Sequence, residues 1–213
     1  GFRAFKHVGV SFGIIPFTNV GYNYSSEGYL NGDRSNTYTN TYTGSGGLHQ
    51  IYLGAGWEMM KGLSLGANIS YLWGTIDRSV INSYSDVYVN TLSKFYKATA
   101  NSYKIDLGLQ YTLNVDKKNA MTFGLTWGLG HKLSSTPECL VISNNPSTGV
   151  TDTTSYSVKN GLEIPMTLGM GVMWNHSEKL KVGTDFSFQK WGSVKHPVYK
   201  VDNNQPSYQL SDN

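Results

Sequence analysis

The chain has a single cysteine, Cys139, no apolar run approaching 18 residues and no basic cluster larger than Lys117-Lys118. Each shortage closes off a class of protein. One cysteine has no internal partner and no Cys/His spacing matches zinc, so disulfide scaffolds and structural zinc sites are excluded, and Cys139 reads as a loop residue without a special role. The net charge of +3 is spread thinly, which leaves no nucleic-acid footprint. A transmembrane helix is excluded on length, but a membrane strand is not: it needs only about 10 residues with every second side chain apolar. The opening Gly1-Phe2-Arg3 lacks the charged and apolar regions of an export signal, which is therefore expected upstream.

What is abundant suits strands and turns: 24 glycines, 15 tyrosines and 5 tryptophans, with only 15% charged residues among 213. That length fits one domain with a large core. From Leu63 to Gly74, Leu63, Leu65, Ala67, Ile69, Tyr71 and Trp73 share one face, against Ser64, Gly66, Asn68, Ser70, Leu72 and Gly74 on the other. The period is two, as in a strand. The run before it, Ile51 to Met59, alternates in the same way and is joined to it by Met60-Lys61-Gly62, a tight hairpin link. A second hairpin pairs Tyr103 to Val115 with Met121 to Gly130. A third pairs Leu162 to Trp174 with Leu180 to Gln189, and a lone strand runs through Val8, Val10, Phe12 and Ile14.

Seven strands are thus expected near residues 5–15, 48–59, 63–76, 103–115, 120–133, 162–174 and 180–191. Long polar loops are expected over 21–47, 77–102, 134–160 and 192–213. Three internal loops of that length are unusual in a compact soluble domain. An outer-membrane barrel accounts for them, having short periplasmic turns and long outer loops. A soluble sandwich also alternates, but its solvent face carries Lys, Glu and Thr. Here the polar face is mostly Gly, Ser, Thr and Asn.

Aromatic residues cluster toward strand ends, as in the girdles at the two lipid–water interfaces of membrane barrels. Trp57, Tyr111 and Trp174 fall at the inner end; Tyr71, Trp73, Tyr103, Trp127 and Phe188 at the outer. The expected fold is therefore all-β, an antiparallel transmembrane β-barrel in the bacterial outer membrane. Open edges are not tolerated in hydrocarbon, and single-chain bacterial barrels have even strand numbers. Seven strands are then an internal portion of a larger barrel, and further strands are expected at both ends.

The stretch VGVSFGIIPFTNVGYNYS, with "PF.NVGY" at Pro16 to Tyr22, and the hairpin around KGLSLGANISYL resemble the FadL/TodX-type long-chain fatty-acid transporter family. The resemblance implies a fourteen-stranded barrel whose N-terminal hatch lies upstream. It also implies passive uptake of a hydrophobic small molecule, in contact with outer-membrane lipid. The other reading is a structural or scaffold barrel within a larger outer-membrane assembly, in contact with other outer-membrane proteins.

Weak lumen candidates for ligand binding are Glu58, Asp106, His131 and Asp185, alongside Lys104 and Lys181. In a water-accessible lumen scattered charges are ordinary, and no nucleophile, base and orienting group converge. No enzymatic activity and no metal or cofactor is expected. Pro165 lies within an alternating run, where loss of a ladder donor marks a bulge or, on the family resemblance, a lateral opening. Tyr22, Tyr24, Tyr29, Tyr38 and Tyr42 lie in the first long loop, where they suit a ligand, a lid of stacked rings or a protein contact.

Overall fold

A computed structural model describes residues 1–30, 33–203 and 205–212. Among them the chain is strand and turn apart from one short 3-10 turn at Trp191–Ser193, and no helix is long and apolar enough to cross a membrane. The strands are β1 (Phe2–Phe5), β2 (Val8–Leu30), β3 (Asp33–Met60), β4 (Leu63–Tyr84), β5 (Thr91–Asn114), β6 (Asn119–Gly128) and β7 (His131–Lys132). There follow β8 (Glu138–Asn144), β9 (Thr151–Ser157), β10 (Glu163–Ile164), β11 (Thr167–His176), β12 (Leu180–Gln189), β13 (His196–Asp202) and β14 (Gln205–Ser211).

The main sheet runs β1-β2-β3-β4-β5-β6-β11-β12, antiparallel throughout and strongly curled, like half of a barrel. Sequence neighbours pair except where β6 meets β11, so short hairpins build most of it. The turns at one end are closed by local chemistry. Asp116 Oδ1 accepts the backbone N–H groups of Lys118 at 2.6 Å and Asn119 at 2.8 Å, an Asx turn. Asn175 Oδ1 accepts the Glu178 N–H at 3.1 Å, with Ser177 and Glu178 at φ 54° and 58°.

At the other end the four strands β2 to β5 do not stop where their apolar alternation stops. They contain 23, 28, 22 and 24 residues, against the roughly 9–11 that a membrane crossing requires. Within the segments expected as loops over 21–47 and 77–102, residues 21–30, 33–47, 77–84 and 91–102 are instead strand, with Tyr22 opposite Gly44, Tyr24 opposite Tyr42, and Ile81 opposite Ser93, while residues 31 and 32 lie outside the described residues. The reason is composition. Thr, Tyr and Val favour extended backbone, while polar residues on both faces erase the apolar period by which a strand is recognised.

The expected loop 134–160 likewise holds the hairpin β8–β9, and the tail holds the hairpin β13–β14. Pro197 and Pro206 lie within that last hairpin, opposite Leu210 and Val201. Both of its strands are edges, where a missing N–H is tolerated.

Two levels of the sheet are separated by a bend. At one height β2 has an irregularity between Pro16 and Thr18, β3 has Gly46 at φ +97°, and β4 has Gly74 at φ +148°. A Cβ on Gly46 would lie 2.2 Å from the Thr75 carbonyl oxygen, and one on Gly74 2.2 Å from that of Gly47. Only glycine fits that approach. Beyond the bend the upper sheet is β2-β3-β4-β5-β8-β9, because β5 exchanges partners: Asp106–Asn114 pairs with β6, and Thr91–Lys97 with β8.

The segments around β7 and β10, about residues 129–137 and 158–166, fold as a strap over the concave face at the bend. The strap is fixed by backbone bonds from Asn101 N–H to Ser134 O (3.1 Å), Leu133 N–H to Leu162 O (2.8 Å) and Asn160 N–H to Ser135 O (2.7 Å). Beneath it lies the buried apolar core: Leu48, Leu72, Ala100 and Leu133, flanked by Phe17, Ile76, Leu162 and Ile164. Leu162 and Ile164 were expected to begin the alternating strand Leu162 to Trp174, which would set them on the face shared by Leu168 and Met170. They turn inward because the run is broken at Pro165-Met166, between β10 and β11. Pro165 therefore marks the joint between strap and strand rather than a bulge within a strand.

Candidate functional site: an apolar belt outside and a strapped concave face inside

Register carries the alternation of each strand into a two-dimensional pattern. On the convex face Phe12, Leu53, Ile69 and Ile105 stand side by side across β2 to β5; Leu107, Trp127, Leu168 and Phe188 do the same across β5, β6, β11 and β12. The belt is uncovered: Phe12 is 68% exposed, Ile14 67% and Phe186 61%. In a sandwich this face would be buried against a second sheet. Here the dry core lies on the opposite side, under the strap.

The aromatic residues expected at interfaces border this belt. Trp57 lies opposite Leu65 and Tyr111 opposite Phe123, while Trp174 donates its Nε1–H to Asn119 Oδ1 at 3.1 Å beside a turn. At the other border Tyr71 and Tyr103 are cross-strand neighbours, and the Tyr71 and Trp73 rings stack at 6.1 Å. Trp127 and Phe188 flank Leu168. Along β4 from Leu65 to Tyr71 and along β5 from Tyr111 to Tyr103 the two borders lie about 20–26 Å apart at 3.3 Å per residue. The apolar band of outer-membrane barrels is roughly 25 Å tall.

Inside, below the strap, the concave wall carries an open cleft of about 720 Å³ whose polar lining includes Ser11, Asn68, Lys104, Asp106, Thr126 and Thr167. Lys104 and Asp106 share this face of β5 and form an ion pair. The other candidates do not join them. Glu58 lies four residues from Gly54, the β3 position level with Asp106, about 13 Å along the strand. There its Oε2 meets His7 Nδ1 at 3.3 Å. Asp185 lies opposite Gly171 on β12, four residues from the level of Thr167, and is exposed.

His131 was expected in the lumen. It stacks instead on the Tyr103 ring at 4.3 Å, with Nε2 3.4 Å from Ser102 Oγ. β6 ends at Gly128, but the chain stays beside β5, with Leu129 N–H donating to Ile105 O at 3.0 Å, so continued register sets His131 opposite Tyr103. Carboxylates and imidazole are thus spread over separate heights and strands, and among the described residues no group of three or more His, Cys, Asp or Glu is placed to hold a metal.

The upper sheet is the part that apolar periodicity missed. Tyr22, Tyr24 and Tyr42 lie on one face, with Tyr24 and Tyr42 stacked at 5.0 Å and the Tyr22 hydroxyl accepting from Arg78 Nε at 3.2 Å. Farther along it, Tyr96 meets Tyr208 at 6.3 Å and Tyr156 meets Tyr199 at 5.7 Å, so the β13–β14 hairpin rests on this face. Burial pushes the phenols of Tyr96 and Tyr208 up to about 12 and raises the Cys139 thiol as well. Cys139, expected in a loop, is fully buried on β8 opposite Tyr96 and Tyr156. The sequence signals that could have located the bend are Gly46-Gly47 and Gly74, at the positions where apolar alternation gives out.

An all-β chain with an uncovered apolar belt and a capped concave face belongs, as a class, with proteins of the bacterial outer membrane. The BamG family model matches residues 1–213, and the chain belongs to that family, a component of the Bam complex associated with the outer membrane. No curated protein and no solved structure matches it.

The family match overturns the resemblance to FadL/TodX transporters, and with it the expectation of fatty-acid uptake. The quoted residues explain the misreading. Alternating apolar residues, inward glycines and tight hairpins are requirements of any curled sheet with a lipid-facing side. The "PF.NVGY" segment is the bend of β2, which carries no ligand chemistry.

Proposed function

We propose that this chain is a lipid-embedded β-barrel wall that serves as a structural subunit of an outer-membrane assembly complex. The observation that carries the reading is the belt: an uninterrupted apolar surface across seven strands, bounded by aromatic residues, on a protein whose family belongs to the Bam complex. A transport role is disfavoured by the strap, which fills the concave face with Leu48, Leu72, Leu133 and Leu162 where a solute path would run. A catalytic role finds no support in the separated positions of Glu58, Asp106, His131 and Asp185. The sheet projecting beyond the bend, with β8–β9 and β13–β14, supplies aqueous surface for protein contacts.

The test is purification of the intact protein from outer membranes in mild detergent, followed by size analysis and identification of bands. The expected result is co-elution at fixed stoichiometry with other outer-membrane proteins. Elution as a lone barrel, with none accompanying it, rejects the assembly reading. Release from membranes by alkaline carbonate rejects the lipid-embedded one.

A further inference from the structure

Between the tyrosine-bearing face of the upper sheet and the β13–β14 hairpin runs a groove of about 420 Å³ that lies against the outer side of the strap. Its apolar lining includes Ile76, Val80, Leu162 and Val198, and Tyr96, Tyr199 and Tyr208 line it as well. Its charged lining is one-sided. Arg78 contributes a permanent cation and His196 an imidazole, while no carboxylate lines it; Lys97 borders it from a position whose side chain alternates to the other face of β5.

Two acids on bordering elements, Glu163 and Asp212, are engaged elsewhere. Glu163 accepts the Lys195 backbone N–H at 3.1 Å and pairs with Lys132, and Asp212 pairs with the Lys195 ammonium at 3.1 Å. Lys97 has Asp77 and Glu138 as cross-strand neighbours. Arg78 is different: its guanidinium meets only the neutral Tyr22 hydroxyl, and among the described residues it forms no ion pair.

An apolar cleft with a few convergent polar groups is the usual form of a recognition site. A guanidinium without a carboxylate is the group best suited to take one in a forked hydrogen-bonded pair. The phenols of Tyr96 and Tyr208 stay protonated at neutral pH and so offer hydroxyls to an anionic guest.

We infer that this groove receives an acidic segment of a neighbouring subunit, with a carboxylate on Arg78 and an adjoining large apolar or aromatic side chain on the Ile76–Val198 floor. The inference rests on the assembly reading above and assigns it a contact. The occupant is a polypeptide because the groove lies beyond the belt, in water, on the surface left for protein partners.

The test places a photo-crosslinking residue at Val198 in the full-length protein within its native complex, beside versions also carrying Arg78→Glu or Arg78→Lys. The expected result is one discrete adduct to a co-purifying subunit, its peptide rich in Asp or Glu, reduced at least tenfold by Arg78→Glu and retained with Arg78→Lys. Retained outer-membrane insertion and resistance of the β-structure to protease separate this loss from misfolding. An intact complex with no adduct, an adduct indifferent to Arg78→Glu, or a link only within the chain itself overturns the groove assignment while leaving the assembly reading standing. Absence of any complex overturns both.

Discussion

Gly74 and Leu72 are two residues apart on β4 and carry different loads. Gly74 needs its positive φ and leaves no room for a methyl group beside the Gly47 carbonyl. Gly74→Ala should therefore cost about 1–3 kcal/mol from overpacking and strain, seen as a lower midpoint in urea unfolding followed by gel mobility. Leu72, with 0% exposure, lies in the core under the strap. Leu72→Ala should cost about 2–5 kcal/mol in the same assay. A change below 0.5 kcal/mol for either would mean that the bend or the core relaxes freely around the substitution.

Elements respond to pH as well as to substitution. Tyr96 on β5 and Tyr208 on β14 have phenols raised to about 12, above the ordinary value near 10. A raised folded-state pKa means that the unfolded chain loses these protons first. The stabilisation is complete below about pH 10 and is lost as pH rises toward about 12. Between pH 10 and 12 the β13–β14 hairpin should loosen, with tyrosinate absorbance appearing late and protease cleavage in residues 195–212 appearing with it. Early, uniform titration of all tyrosines would contradict the packing described. The strap offers a parallel test: Leu133→Asp should expose residues 129–137 to limited proteolysis while leaving the paired core of β4 and β5 protected.

At this scale the sequence was legible wherever one face meets an apolar environment. The starts of β4 at Leu63 and β12 at Leu180, and the β11–β12 hairpin, follow directly from alternation ending in turn residues. The same rule failed wherever both faces meet water, as in Asn19 to Leu30 of β2, and wherever an apolar residue turned inward against a neighbour distant in sequence, as Leu162 does. His131 shows a different failure, a miscounted face: it is odd-numbered like the outward Trp127 and Leu129, and the β5–β6 register carried past Gly128 sets it opposite Tyr103, where its ring stacks.

For the whole molecule, the continuity of β2 to β5 through the bend has a consequence for how the protein reaches its membrane. On the proposed lipid-embedded reading with the short turns on the periplasmic side, every residue beyond the bend would first travel through hydrocarbon. Tyr, Thr, Asn and Ser over some ten residues per strand, with Arg78, Lys94 and Lys97, make that passage costly for an unpaired chain. Paired hairpins lower the cost by satisfying one another's backbone groups, so transit favours the β2–β3 and β4–β5 hairpins already zipped. Spontaneous insertion into pure lipid vesicles should therefore be slow, and should speed up at least tenfold when residues 21–45 and 79–93 are replaced by short turns. Equal rates for the two chains would show that the projecting sheet imposes no barrier. A subunit of this shape is itself a demanding client for catalysed insertion, and its own maturation should depend on a working assembly complex in the membrane it joins.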